Sequence, residues 1–245
     1  MASNPPGKCC TVGFKHEGQA IGKIEKVAGI NTYLSYPASK STENAVIIIT
    51  DIFGYELINA QLIADQLAAN GYFVVMPDLF DGNAIPIDVP KGFDVMEWLK
   101  DYPPQRIDAI IDKVVRELKS NLGVKRLGSA GYCLGAKYVC RFLKKGLIDV
   151  GYIAHPSLVE VEELRGIEGP LSIAAAETDS IFPTPKRRES EDILVEIGAT
   201  YQINLYSGVE HGYAIRADIS NRMVKFAMEQ AFLQAVNWFD EFVKA

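Results

Sequence analysis

The sequence predicts an α/β protein in which helices cover both faces of a mostly parallel central sheet. Short apolar runs rich in β-formers alternate along the chain with segments of helical period, the pattern of parallel strands joined by crossover helices. Two of the runs, residues 44–50 and 150–154, lack polar alternation, as strands buried on both faces do. No repeat and no linker-like break in composition interrupts residues 20–245, so the expected organisation is one domain over 1–245, with 1–20 as a loose N-terminal segment. At 48% hydrophobic and 23% charged residues, the 245-residue chain has ordinary globular composition.

In chain order, residues 22–27 and 32–36 give two weaker strand signals that would add an antiparallel edge. The main strands are expected at 44–50, 73–76, 126–130, 150–154, 171–176 and 201–206. Helices are expected at 57–70, 104–121, 134–145, 185–197 and about 220–243. The Asn70-Gly71 and Asn121-Leu122-Gly123 steps supply C-caps for the first two. On the last helix, Met223, Phe226, Ala227, Phe232, Val236 and Phe239 recur at helical spacing and read as core packing.

Charge and cysteine usage exclude several classes. Lys plus Arg number 25 against 31 Asp plus Glu, a net charge of −6, which gives a nucleic-acid surface no bulk electrostatic support. No stretch approaches the roughly 18 apolar residues of a bilayer span. The N-terminus MASNPPGKCC has no apolar core of a secretory signal. The expectation is a cytoplasmic protein without membrane or nucleic-acid partners. Cys9, Cys10, Cys133 and Cys140 form no CxxC pair, so neither a structural zinc site nor a disulfide framework is expected. Cys9 and Cys10 read as incidental thiols near a loose end, with lipidation or metal binding as the alternatives.

One segment carries chemistry. Residues 126–138 read as strand, abrupt turn and helix, and the turn is Gly131-Tyr132-Cys133-Leu134-Gly135. This G-x-C-x-G is the thiol counterpart of the G-x-S-x-G nucleophile elbow, whose glycines leave room where strand and helix nearly touch. A helix N-terminus beneath the sulfur favours the thiolate. In α/β-hydrolases an acid and then a histidine follow the nucleophile along the chain. His155 directly follows the 150–154 strand, the wrong place for the base. His211 lies in a glycine-flanked loop after the last strand, the right place. The acid should end the strand before it, where Asp179 fits best and Glu177 is the alternative.

With these residues placed, the chain resembles the dienelactone hydrolase family, the cysteine branch of the α/β-hydrolase fold, from roughly Thr32 to the C-terminus. The matching segments are Asp51-Ile52-Phe53-Gly54, residues 76–80, 131–135 and 177–179, and His211-Gly212-Tyr213 with Arg216 beyond. The resemblance implies Cys133 as nucleophile, Asp179 as orienting acid and His211 as base. It implies an ester or lactone as the small-molecule partner, and neither cofactor nor metal. It also implies a carboxylate near the resting sulfur, here Asp51 where relatives usually carry Glu, which would hold the thiol neutral. The backbone N–H groups of Ile52 and Leu134 become the oxyanion donors. Arg216 becomes a cation for a substrate carboxylate, or else a solvated partner of Asp218. Arg106 is the nearest candidate for the family's second such arginine. Residues 81–102 read as part of a lid.

Other classes fit less well. No G-x-G-x-x-G follows the first strand, against dinucleotide binding. A redox-reactive thiol protein would need a partner for Cys133, and Cys140 lies two helical turns on, about 10 Å away. A catalytically silent binding module on the same fold is the remaining alternative.

Overall fold

A computed structural model describes residues 1–87, 89, 90 and 92–244. Its strands are β1 (Lys23–Val27), β2 (Ile30–Ser35), β3 (Asn44–Ile49), β4 (Phe73–Pro77), β5 (Arg126–Tyr132), β6 (Val150–Ala154), β7 (Leu171–Thr178) and β8 (Tyr201–Glu210). They form one sheet in the order β1-β2-β4-β3-β5-β6-β7-β8. Pairing is antiparallel for β1 with β2 and for β2 with β4, and parallel from β4 through β8. The antiparallel edge and the six main strands therefore lie where the sequence predicts.

The helices are α1 (Ile58–Ala69), α2 (Val95–Trp98), α3 (Pro104–Ser120), α4 (Leu134–Phe142), α5 (Val161–Arg165), α6 (Thr184–Glu196), α7 (Tyr213–Arg216) and α8 (Arg222–Phe242). Strand alternation divides the core into two layers. Ile47, Ile49 and Val75 face α3, α4 and α6 through Val114, Val139 and Leu194. Val46, Ile48 and Val74 face α1 and α8 through Ile63, Leu67 and Phe239. The central strands are thus mostly apolar on both sides because both of their faces are covered. No helix among the described residues is long and apolar enough to cross a membrane.

Two expectations change. On α8, Ala227, Val236 and Phe239 are buried, but Met223 and Phe226 are more than half exposed, because the helix's first turns overhang the sheet. Residues 1–20 are not loose. The Ser3 N–H donates to the Val159 carbonyl (3.1 Å), Asn4 N–H to that of Ile181 (2.8 Å) and Phe14 N–H to that of Arg216 (3.1 Å). From α1, the Asn59 side chain donates to the carbonyls of Phe14 and Ile215 and accepts from His16 N–H. Ala2, Ser3 and Cys10 are fully buried. Small side chains let this arm lie flat, and its backbone pairs with the loops that follow β6, β7 and β8.

Candidate active site

The site is built on the turn between β5 and α4. Cys133 caps α4 with φ 51° and ψ −111°, a strained backbone that costs about 1–3 kcal/mol and persists only under tight surroundings. Those surroundings are the two glycines. A methyl at Gly135 would strike the Ile49 carbonyl of β3, and one at Gly131 would lie 2.8 Å from the Gly135 backbone and 2.6 Å from Val139. The turn can only close where both Cβ atoms are missing.

β8 ends beside this turn and delivers His211, whose Nε2 lies 3.1 Å from Cys133 Sγ. On the other side of the ring, Nδ1 donates to Asp179 Oδ2 at 2.9 Å. Asp179 also accepts the N–H groups of Ile181 and Phe182, which fixes its carboxylate. Glu177 points elsewhere, accepting from Ser207 Oγ and Gly208 N–H at the surface. Of the two candidate acids, the fold brings Asp179 to the histidine.

Electrostatics favour an ion pair between sulfur and imidazole. The neighbouring Cys10 thiol and then the His211 charge outweigh burial and hold Cys133 well below the usual thiol range. Burial alone would lower the His211 pKa, but Cys133 and Asp179 raise it to about 9. Asp179 is itself held low, its burial more than offset by His211 and the two backbone N–H groups. His155, at the end of β6, lies edge-on to His211 with centroids 5.0 Å apart. Neither of its ring nitrogens makes a close, well-aligned hydrogen bond among the described residues; burial lowers its pKa to about 4, against a weaker opposing interaction with the Cys133 sulfur. It lies against His211 as a neutral wall.

Asp51 and Arg216 find each other. Arg216 Nη1 donates to Asp51 Oδ2 at 2.8 Å, with both side chains buried. The guanidinium also donates to the carbonyls of Val12 (2.9 Å) and Cys9 (3.3 Å) and lies over the Phe53 ring. The solvated pair with Asp218 does not form, because Asp218 accepts from Ser220 instead. A substrate carboxylate would have to compete with Asp51 for this cation. No hydrogen bond joins Asp51 to Cys133 among the described residues: its other oxygen accepts from Phe53 N–H (3.0 Å). Burial pushes Asp51 up to about 6 against the pull of Arg216, and the nearby sulfur charge adds to the rise. Arg106 pairs with Asp81 at the surface and takes no part in the site.

The sequence reading missed Cys10. The arm's single 3-10 turn, Lys8–Thr11, sets its Sγ 3.8 Å from that of Cys133. Beneath it Cys133 has no exposed surface. A cleft of about 410 Å³ beside the arm is bordered by Cys9, His211 and Arg216. A second, of about 580 Å³, separates Val12 and Gly13 from Ile87, Val89 and Phe93. The segment predicted as a lid, in which Asp88 and Lys91 lie outside the described residues, therefore faces the arm. Cys10, Cys133 and His211 also present three donor atoms within 4.8 Å of one another, a group that could hold a soft metal ion.

The sequence profile of the dienelactone hydrolase family matches residues 30–243. The chain belongs to that family. It is 49% identical to "Hydrolase pyvD" of Aspergillus violaceofuscus, over the whole of both chains. It is 50% identical to "Hydrolase tropI" of Talaromyces stipitatus, covering all of this chain and 99% of the other. Among solved structures, a dienelactone hydrolase-like promiscuous phosphotriesterase from metagenomic libraries superposes with a TM-score of 0.71 at 12% identity, covering 91% of this chain and 98% of that one. At that identity the likeness speaks for the α/β-hydrolase fold alone. Family and fold together make the protein a dienelactone hydrolase-like hydrolase.

Proposed function

We propose that the protein hydrolyses carboxylic esters or lactones through a thioester on Cys133. The observation that carries this reading is the contact chain Asp179–His211–Cys133, at 2.9 Å and 3.1 Å. Sulfur, imidazole and carboxylate in that order form a charged nucleophile with a proton stored beside it. The thiolate attacks the substrate carbonyl. Ile52 N–H, just beyond β3, and Leu134 N–H, in the first turn of α4 where helix donors lack partners, receive the oxyanion. His211 Nε2 gives its proton to the leaving alkoxide as the tetrahedral species collapses to the thioester. The neutral imidazole then takes a proton from water, which attacks the acyl carbon and releases the acid, and the thiolate returns. Asp179 holds the ring in the required tautomer throughout.

Asp51 has a supporting part in this reading. Its negative charge opposes the charge on Cys133, and Arg216 balances it, so the pair tempers the thiolate without touching it. The test is a panel of activated esters, lactones and thioesters assayed with wild type and Cys133→Ala, with intact mass recorded during turnover. An acyl mass on the peptide containing Cys133 is expected. Turnover by the alanine variant at the wild-type rate excludes the covalent route.

A further inference from the structure

We propose that Cys10 is the resolving thiol of Cys133, so that a hydroperoxide converts the pair into a Cys10–Cys133 disulfide that switches the site off reversibly. The proposal shares with the function above only the Cys133–His211 ion pair and needs no particular substrate. A partner for Cys133 cannot come from Cys140, which is buried in α4 among core side chains. Cys9 faces Ser180 Oγ at 3.7 Å and the Cys10 thiol, and has no hydrogen bond to Cys133 among the described residues. The sulfur of Cys10 is 3.8 Å from that of Cys133, in contact with it and buried in the same cluster. Closing that gap to the bonded distance of roughly 2.0 Å needs a shift of under about 2 Å. Cys10 sits on a four-residue turn closed by its own N–H to the Gly7 carbonyl (2.9 Å).

The chemistry balances. The Cys133 thiolate attacks the near oxygen of the hydroperoxide and breaks the O–O bond. Sulfur is oxidised to the sulfenic acid, the peroxide is reduced, and the departing alkoxide or hydroxide takes the proton of His211. The imidazole, now neutral, accepts the Cys10 proton. Its ligating nitrogen lies within 4.8 Å of the Cys10 sulfur. Cys10 then attacks the Cys133 sulfur, the S–O bond breaks, and hydroxide leaves with that proton as water. Two equivalents of an external thiol reverse the bond and leave as their own disulfide. The cleft beside the arm reaches His211 and Cys9, giving an oxidant of two heavy atoms a route toward the buried sulfur. The product would stitch the arm to the elbow, and it would spare Cys133 from irreversible over-oxidation.

The full chain, reduced and freed of reductant, is treated with a small excess of hydrogen peroxide. Free thiols are then alkylated and peptides mapped without reduction. The expected product is the peptide pair Cys10–Cys133, two hydrogens lighter than its parts, appearing in step with the loss of free Cys133 thiol and removed by dithiothreitol. In Cys10→Ser, and equally in Cys10→Ala, Cys133 should advance to the sulfinic acid. Dithiothreitol should then recover less than about a tenth of the Cys133 thiol that it recovers in wild type. Melting curves for both variants, compared with wild type, check that the fold is kept. Sulfinic Cys133 in wild type with no linked peptide overturns the proposal, as does a link to Cys9 or Cys140, or equal recovery in wild type and variants. The thiol count reads the switch even if every ester on the panel proves inert, so the two hypotheses fail separately.

Discussion

The elbow and the N-terminal arm meet sulfur to sulfur, yet they are held in place by different physics. The elbow is closed by sterics: strand, helix and the neighbouring β3 carbonyl crowd a turn that only two glycines can pass. The arm is held by hydrogen bonds spread along its length, among them those to the Val159, Ile181 and Arg216 carbonyls, each more than 150 residues away in sequence, and those from the Asn59 and Arg216 side chains. Sterically over-determined turns tolerate no variation and fix chemistry. Segments held by hydrogen bonds at the surface open more readily than such turns.

The largest effect should come from the elbow. Cys133→Ala should lower ester turnover by roughly 10³-fold or more, the scale of losing a member of a catalytic triad. Cys133→Ser should recover little, since His211 faces a far weaker acid. Steady-state rates decide this, and a modest loss would mean that the strained turn serves only the fold. Next, Asp179→Asn should reduce turnover by about 10²-fold or more while Glu177→Gln has little effect. Equal losses would move the acid to Glu177.

Asp51→Asn tests the link between the two regions, because Arg216 contacts both Asp51 and the arm. A buried guanidinium left without its anion should cost about 3–5 kcal/mol, seen as a lower urea midpoint. Removing the carboxylate's charge should also lower the Cys133 thiol pKa, shifting the pH dependence of its alkylation toward acid. Mass mapping must separate Cys133 from Cys9, which the Cys10 thiol helps to lower to about 6. Cys140, raised to about 12 by burial, should stay unlabelled.

The pH profile follows from the ion pair. His211 is raised from its ordinary value to about 9, so its imidazolium form persists through neutrality. The proton that leaves with the alkoxide is lost as pH rises through about 9, and kcat/KM should fall there. Because the folded-state pKa is the raised one, the stability it brings is also fully present below about 6.5 and lost over the same rise. Asp179→Asn should bring that alkaline limb to lower pH. An unmoved limb would assign it to another group.

The smallest effect belongs to the arm. The Ser3 hydroxyl accepts the buried Val159 N–H at 2.9 Å, so Ser3→Ala should cost only about 1–3 kcal/mol. It should nevertheless speed labelling of Cys133 by a bulky disulfide reagent. Unchanged labelling would mean that the arm does not govern access.

These contrasts explain what the sequence disclosed. The parallel strands and the elbow were legible because apolar runs and paired glycines record local requirements. His211 and Asp179 could be placed because chain order fixes which strand end each occupies. The Asp51–Arg216 pair was not legible: each residue had a plausible partner elsewhere, and only the meeting of the β3 and β8 loops joins them. Cys10 was invisible for a stronger reason. Nothing in MASNPPGKCC has periodicity or a turn signal that points 123 residues ahead, and its position depends on small side chains fitting a surface that the rest of the chain makes. Met223 and Phe226 failed in the opposite sense, since helical spacing identifies a stripe but not how far the sheet extends beneath it.

The sealed position of Cys133 has a kinetic meaning. Where the arm must lift before a substrate larger than a peroxide can meet the sulfur, apparent affinity is scaled by the fraction of molecules in which it has lifted. Loosening the arm by 1.4 kcal/mol would raise a small open population about tenfold, with no change to the Cys133–His211–Asp179 contacts. Two enzymes with identical catalytic residues could then differ widely in apparent KM through their first 14 residues alone. Selection acting on that fraction could tune throughput while leaving the chemistry untouched.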